Sequence, residues 1–213
     1  MDHVISRYRP RLEFDSYDDL LEGFRIEPTA DFNFGYDVVD EWARVEPEKR
    51  ALVWCDDDGA KRVFTFADIS RLSNRMANAF ADLGIAKGDV VMLILRRRWE
   101  YWITAVALHK IGAILIPGSV QLTTKDIVYR AESAGVKMMV CVDDAYVLSQ
   151  VDGARADAPT IETCVVAGPA CDGWLSFDDL LEEHADEWER LTGDAYPGGH
   201  DTMLVYFTSG TTG

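Results

Sequence analysis

Residues 88–118 read GDVVMLILRRRWEYWITAVALHKIGAILIPG, and their order decides the fold. Gly88-Asp89 turns into six apolar residues, Val90–Leu95, which read as a strand buried on both faces. From about Trp99 to Ile111 the chain is apolar nearly all round, which predicts a helix covered on two sides. Gly112 closes that helix, and Ala113–Ile116 forms the next strand before Pro117-Gly118. Strand, helix and strand in this order make a right-handed parallel crossover.

The same alternation extends outward. Upstream, Thr65 with Asp68 resembles a capping box, opening a helix with Ile69, Leu72, Met76, Ala79, Phe80 and Leu83 on one face and Gly84 at its end. Ala51–Cys55 and Arg62–Phe66 flank Asp56-Asp57-Asp58-Gly59, a strong hairpin signal. A helix is expected over Tyr36–Val45, stopped by Pro47. Downstream, Thr123 or Thr124 caps a helix reaching Gly135, followed by a strand at Met138–Val142 and a short helix near Ala145–Val151. Thr163–Ala167 is a further strand, and Ser176 caps a helix over Phe177–His184. An acidic segment at about Glu187–His200 leads to Met203–Phe207, expected as a buried strand. The fold class is α/β: a largely parallel sheet with helices on both faces, plus an N-terminal β-hairpin. Residues 1–35 form a lead segment with one helical candidate, Tyr17–Gly23, pinned to the body by burying Phe14, Phe24, Phe32 and Phe34. Residues 36–213 form the α/β domain.

Lys+Arg total 21 against 37 Asp+Glu, a net charge of -16. Such a chain is a poor partner for nucleic acid or an anionic membrane surface, where basic patches supply affinity. Cys55, Cys141, Cys164 and Cys171 show no metal or redox spacing and read as core filler in a reducing compartment. The first residues lack the apolar core of a signal peptide, and no apolar run approaches a membrane span. A cytoplasmic location is expected.

The sharpest chemical signal is Tyr206-Phe207-Thr208-Ser209-Gly210-Thr211-Thr212-Gly213. Glycines let backbone approach a ligand closely, while converging N–H groups and hydroxyls can cradle an anion. No lysine stands here, so this is not a Walker loop. Other candidates are weaker. Arg96-Arg97-Arg98 lies at the carboxyl end of a strand, where open α/β sheets place ligands, although solvated charge is the commoner reading. His109 on the apolar helix reads as a hydrogen-bonded structural histidine, and His3, His184 and His200 have no triad partners. Asp143-Asp144 reads as a helix cap, and Asp56–Asp58 as a solvated turn lacking the alternation of a calcium loop.

Thr-Ser-Gly-Thr-Thr-Gly after an aromatic strand end resembles the phosphate loop of the adenylate-forming superfamily, which holds acyl-CoA synthetases, luciferases and peptide-synthetase adenylation domains. Phe32-Asn33-Phe34 with Asp40-Glu41-Trp42, Pro117–Gln121 with Asp126–Arg130, and Cys171–Leu175 look closer to the medium-chain acyl-CoA synthetases. The resemblance runs from about residue 30 to the end. It implies the N-terminal part of the large AMP-binding domain, ending inside the motif before the family's proline and lysine. It implies ATP, Mg²⁺ and coenzyme A as co-substrates and a medium-chain fatty or aromatic carboxylic acid as substrate. Thr208, Ser209, Gly210, Thr211, Thr212 and Gly213 would bind the ATP phosphates, and no residue of this chain is assigned a catalytic or metal-ligating role. The family's other catalytic equipment lies later, so the 213 residues alone are expected to be inactive. A luciferase-like or carrier-protein ligase is the rival within the superfamily, and a non-catalytic phosphate-binding or scaffolding module the rival outside it. Self-association into a homo-oligomer is expected through apolar surface and an open strand edge at Met203–Phe207.

Overall fold

The computed structural model describes Tyr8, Arg11 and residues 13–208. A helix α1 (Tyr17–Gly23) precedes a π-helical turn, Gly35–Asp40, that runs into α2 (Glu41–Val45). The hairpin β1 (Arg50–Cys55) and β2 (Lys61–Thr65) is antiparallel, and Asp56 closes its turn by accepting from the Ala60 N–H at 2.7 Å. Then come α3 (Phe66–Asp82), β3 (Val90–Ile94), α4 (Glu100–Ile111), β4 (Ile114–Pro117), α5 (Thr124–Ala134), β5 (Val136–Val142), α6 (Ala145–Arg155), β6 (Thr163–Ala167), β7 (Leu175–Ser176) and α7 (Phe177–Glu183). The main sheet is parallel throughout, in the order β4-β3-β5-β6-β7.

The period-two alternation of β3 sorts the core into two halves. Val91, Leu93 and Leu95 face α3, α4 and α7, packing with Met76, Phe80, Ile103, Leu108 and Phe177. Val90, Met92 and Ile94 face α5 and α6, packing with Ile127, Ala131, Val147 and Val151. Because both faces are covered, the strand reads as an unbroken apolar run. The expected capping box at Thr65 and Asp68 forms, and Thr123 rather than Thr124 caps α5, with Asp126 completing a second box. The sequence reading missed the two-residue strand β7, too short for any periodicity, the last turn of α6 beyond Val151, and a 3-10 turn at Gly193–Ala195.

The lead segment is pinned differently from expectation. Phe24 and Phe34 are exposed, while Phe32 is half-buried with its ring edge-on to Tyr8 at 5.0 Å. The anchors are polar. The last carbonyls of α4 have no intrahelical donors. Asn33 Nδ2 donates to the His109 carbonyl at 2.8 Å, and the Tyr36 hydroxyl donates to that of Lys110 at 2.9 Å. Gly112 follows with φ of 84°, and a Cβ there would sit 2.8 Å from Pro197. Positive φ and close approach both require glycine.

The expected apolar helix α4 also hides a charge. Lys110 is fully buried, its Nζ 2.7 Å from Asp40 Oδ1 and 2.6 Å from Asn74 Oδ1. Burial depresses its pKa, and Asp40 opposes that shift. A second buried charge, Glu100, is held by the Arg98 guanidinium.

The acidic segment after α7 is irregular apart from a 3-10 turn at Gly193–Ala195, and Asn74 and Asn78 of α3 donate to its carbonyls at Asp186, Ala185 and Glu187. Lys87, just before β3, donates to the Tyr196 carbonyl at 2.8 Å and pairs with Asp201 at 3.0 Å. Leu204 then joins β4 in parallel, with Leu115 N–H donating to the Met203 carbonyl and Val205 N–H to the Leu115 carbonyl, both at 3.0 Å. The buried strand expected over Met203–Phe207 is therefore a single bridge at the sheet edge. No described residue pairs with its outer side, and Met203 and Tyr206 remain 43% and 66% exposed.

Truncating Asp40 would leave the Lys110 ammonium buried without its counter-charge. Asp40→Ala should cost about 3 kcal/mol, the low end for a broken buried pair because the Asp40 side chain is 30% exposed. Urea unfolding checks this, with Lys110→Met, which removes the charge and keeps the stem, expected to cost less.

Candidate functional site

At the carboxyl ends of β3 and β4 the backbone leaves the sheet and a cleft of about 600 Å³ opens. Its walls include Trp54 from β1, Leu95–Arg98 after β3, Tyr101 from α4 and Pro117–Val120 after β4. The hairpin is tied over it by Trp54, whose indole N–H donates to the Arg97 carbonyl at 2.7 Å. Arg96 sits in the left-handed region at φ of 50°, a conformation costing a non-glycine residue roughly 1–2 kcal/mol. Its guanidinium reaches Asp144 at 2.8 Å, while Asp144 caps α6 by accepting from the Tyr146 and Val147 N–H groups.

The arginine run is thus divided. Arg96 and Arg98 are committed to carboxylates, and Arg98 also lies over the Trp54 ring at 5.8 Å. The exposed Arg97 side chain has no hydrogen-bond or ion-pair partner among the described residues. Tyr101 has its pKa raised, chiefly by burial and secondarily by the nearby Tyr206.

The segment bridged at Leu204 leaves the sheet at this same edge. Phe207 is half-buried, its ring met edge-on by Tyr129 at 6.0 Å and covered by the Arg130 guanidinium at 5.2 Å. Thr208 follows, exposed. Ser209, Gly210, Thr211, Thr212 and Gly213 lie outside the described residues. Tyr129 and Arg130 had not been singled out as functional, although both lie in the Asp126–Arg130 stretch. Their partner is nearly eighty positions away, beyond the reach of any helical period.

The remaining candidates fall apart spatially. His184 Nδ1 lies 2.8 Å from the Leu180 carbonyl, His200 is exposed, and His3 is outside the described residues. His109 overturns its expected hydrogen bonding: both ring nitrogens are buried without a partner among the described residues. Phe34 meets its ring edge-on at 5.8 Å, and it borders a cavity of about 180 Å³ with Asn33, Gly112 and Pro197. Burial brings its pKa down to about 4. Cys141 and Cys164 are buried and their thiol pKa values raised by that burial; Cys55 and Cys171 are exposed.

Residues 39–213 match the family described as AMP-binding enzyme. The chain belongs to that family. Among curated relatives of this AMP-binding chain, mitochondrial acyl-coenzyme A synthetase ACSM4 of Rattus norvegicus is 35% identical over 189 residues, covering 85% of this chain and 32% of that protein. Mitochondrial acyl-coenzyme A synthetase ACSM3 of Mus musculus is 32% identical, covering 94% and 35%. The chain spans about a third of the length of the curated relatives it matches. Two solved structures share the fold: an acyl-CoA synthetase of Brucella canis (TM-score 0.78, 24% identity, covering 93% of this chain and 37% of that one), and the anthranilate CoA ligase AuaEII in complex with anthranoyl-AMP (TM-score 0.73, 23%, covering 87% and 33%). The curated relatives are named as mitochondrial, so they lend no support to a cytoplasmic location.

The His109 site makes a pH prediction. Its folded-state pKa of about 4 lies below the ordinary 6.5, so the unfolded chain takes up the proton first. Its contribution is complete above pH 6.5 and is lost as pH falls towards 4, by up to roughly 3 kcal/mol. Urea midpoints between these pH values should fall less steeply in His109→Leu than in the wild type.

Proposed function

We propose that this chain is the N-terminal portion of an ATP-dependent acyl-CoA synthetase, with residues 36–213 belonging to its large domain and residues 1–35 a lead segment. The observation carrying this reading is the placement of Phe207. It is anchored at the carboxyl edge of a parallel sheet, the edge where such sheets bind ligands, directly before the hydroxyl- and glycine-rich tract that the family match includes. In the proposed reaction a carboxylate attacks the α-phosphate of ATP, pyrophosphate departs, and the thiol of coenzyme A then displaces AMP from the acyl-adenylate.

This chain's share is positioning and charge neutralisation. The N–H groups and hydroxyls of Thr208, Ser209, Gly210, Thr211, Thr212 and Gly213 hold the β- and γ-phosphates as charge moves to the leaving group. The Arg97 guanidinium, uncommitted beside the cleft, suits a phosphate of coenzyme A. Among the described residues no group of three or more His, Cys, Asp or Glu side chains could hold a metal ion. The acid is a medium-chain fatty or aromatic carboxylate, a reading favoured by relatives named acyl-coenzyme A synthetases and by the anthranilate ligase fold.

The purified 213 residues should form no acyl-adenylate, and should bind ATP weakly, with Kd on the order of millimolar, because only the phosphate tail finds donors. Carboxylate-dependent ATP–pyrophosphate exchange by this chain would overturn its assignment as an inactive portion. Tight calorimetric ATP binding would favour an independent nucleotide-binding module. The same chain should also self-associate. The open edge at Met203–Phe207 and the 53% exposed Trp102 of α4 offer apolar surface, while the repulsion from a net charge of -16 is screened within roughly 8 Å at physiological salt. Light scattering should show at least a dimer, tightened by added salt; a strictly monomeric folded chain at high concentration refutes this.

A further inference from the structure

One buried polar side chain is left over once the fold is built. Both imidazole nitrogens of His109 are buried and meet no partner among the described residues. Buried polar groups are almost always hydrogen-bonded, so a ring with both nitrogens orphaned calls for an explanation. The residue borders a cavity of about 180 Å³ at the amino edge of the sheet.

The other polar groups on this wall are already engaged. Asn33 Nδ2 donates to the His109 and Pro197 carbonyls at 2.8 and 3.2 Å, and its Oδ1 accepts from the Tyr36 N–H. Asp201 accepts from the Gly198 N–H at 2.8 Å and pairs with Lys87 at 3.0 Å. The carbonyls of Gly112 and Met203 accept from the N–H groups of Gly88 and Leu115. Thr202 lines the cavity from its exposed rim, where water reaches the hydroxyl. Phe32, Phe34, Ala113 and Pro197 add apolar wall. The buried hydrogen-bonding capacity left open here is that of His109.

Size and chemistry define what fits. An apolar cavity of about 150 Å³ is already large enough for benzene. Burial holds the imidazole pKa down to about 4, so the ring is neutral at pH 7 and offers one N–H donor and one bare nitrogen acceptor. A hydroxyl meets either nitrogen, because it both donates and accepts. A charged group would exchange its hydration for apolar walls and a neutral partner, which is costly.

We propose that this cavity is a binding site for a small neutral hydroxylated molecule of single-ring size, a phenol in class, recognised through the His109 imidazole. Its walls come from the lead segment, the carboxyl end of α4 and the segment that returns before Leu204. An occupant ties these three parts together and stabilises the folded state that contains the site.

The test uses the full 213-residue chain at pH 7 with phenol as the probe, read by calorimetry and by the nitrogen resonances of the His109 ring. Phenol should bind with a Kd on the order of a millimolar and shift those resonances saturably. Benzene, which lacks the hydroxyl, should bind roughly three- to tenfold more weakly, the value of one hydrogen bond, and benzoate should bind more weakly than phenol. In His109→Leu, phenol and benzene should bind alike. Equal affinity of the wild type for phenol and benzene would overturn recognition through His109, as would a preference for phenol that survives in His109→Leu. Tighter binding of benzoate than of phenol would overturn the neutral class. No saturable shift up to about ten times the expected Kd would mean that water alone fills the cavity, and would overturn the site. If His109→Leu does not fold, the wild-type series decides by itself, because the His109 resonances locate the ligand.

Discussion

The ammonium group of Lys110 cannot be left unpaired in the core, and much of the chain is arranged around satisfying it. An isolated buried charge costs several kcal/mol, so the groups around Nζ must come from elements that stay put. Asp40 comes from the π-helical turn, Asn74 from α3, and Ser70 donates its hydroxyl to the same Asp40 oxygen at 2.6 Å. These contacts lock the N-terminal helical segment, α3 and α4 into one unit. Gly35 belongs to the same arrangement, since a Cβ there would sit 2.8 Å from Lys110 Cγ. The carbonyl of Lys110 adds a further tie by accepting the Tyr36 hydroxyl, which in turn accepts from the Trp188 indole at 2.8 Å.

That unit covers one face of the sheet, and the cleft opens at the carboxyl edge. Parallel strands end together, so β3, β4 and the Leu204 bridge deliver Arg96–Arg98, Pro117–Val120 and Phe207–Thr208 to one rim. The overall field works against an anionic ligand, given a net charge of -16. Any anion bound there would depend on local donors. Two of the three rim arginines are already neutralised, and Arg97 is the one without a carboxylate partner among the described residues.

The amino edge serves construction. There Asn33 and Tyr36 satisfy the end of α4, and Lys87 fastens the returning segment. His109 lies in the same region with its imidazole nitrogens unpartnered among the described residues, which makes it the weak point of this edge under acid. The cleft and the buried imidazole thus sit at opposite ends of the same strands.

Much of this was written into local sequence. The apolar runs at 90–95 and 138–142, the capping residues Thr65, Thr123 and Ser176, and the glycines at 84, 112 and 135 act within a turn or two of themselves, so reading neighbours suffices to place them. The phosphate-loop reading of 208–213 rests on consecutive residues in the same way, and residues 209–213 lie outside the described residues. What stayed hidden depends on partners far apart in the chain. Lys110 looked like one polar residue on an apolar helix until folding brought it Asp40, seventy positions away. Rings at 24 and 34 looked like anchors but ended exposed, while Asn33 between apolar neighbours took that task. The run Met203–Phe207 has the composition of a buried strand, yet burial requires a neighbour on each side, and the described residues supply one. Apolar pattern and capping chemistry are local and set the elements; the pairing of buried charges, helix-end carbonyls and strand edges is non-local, and only the packed chain assigns it.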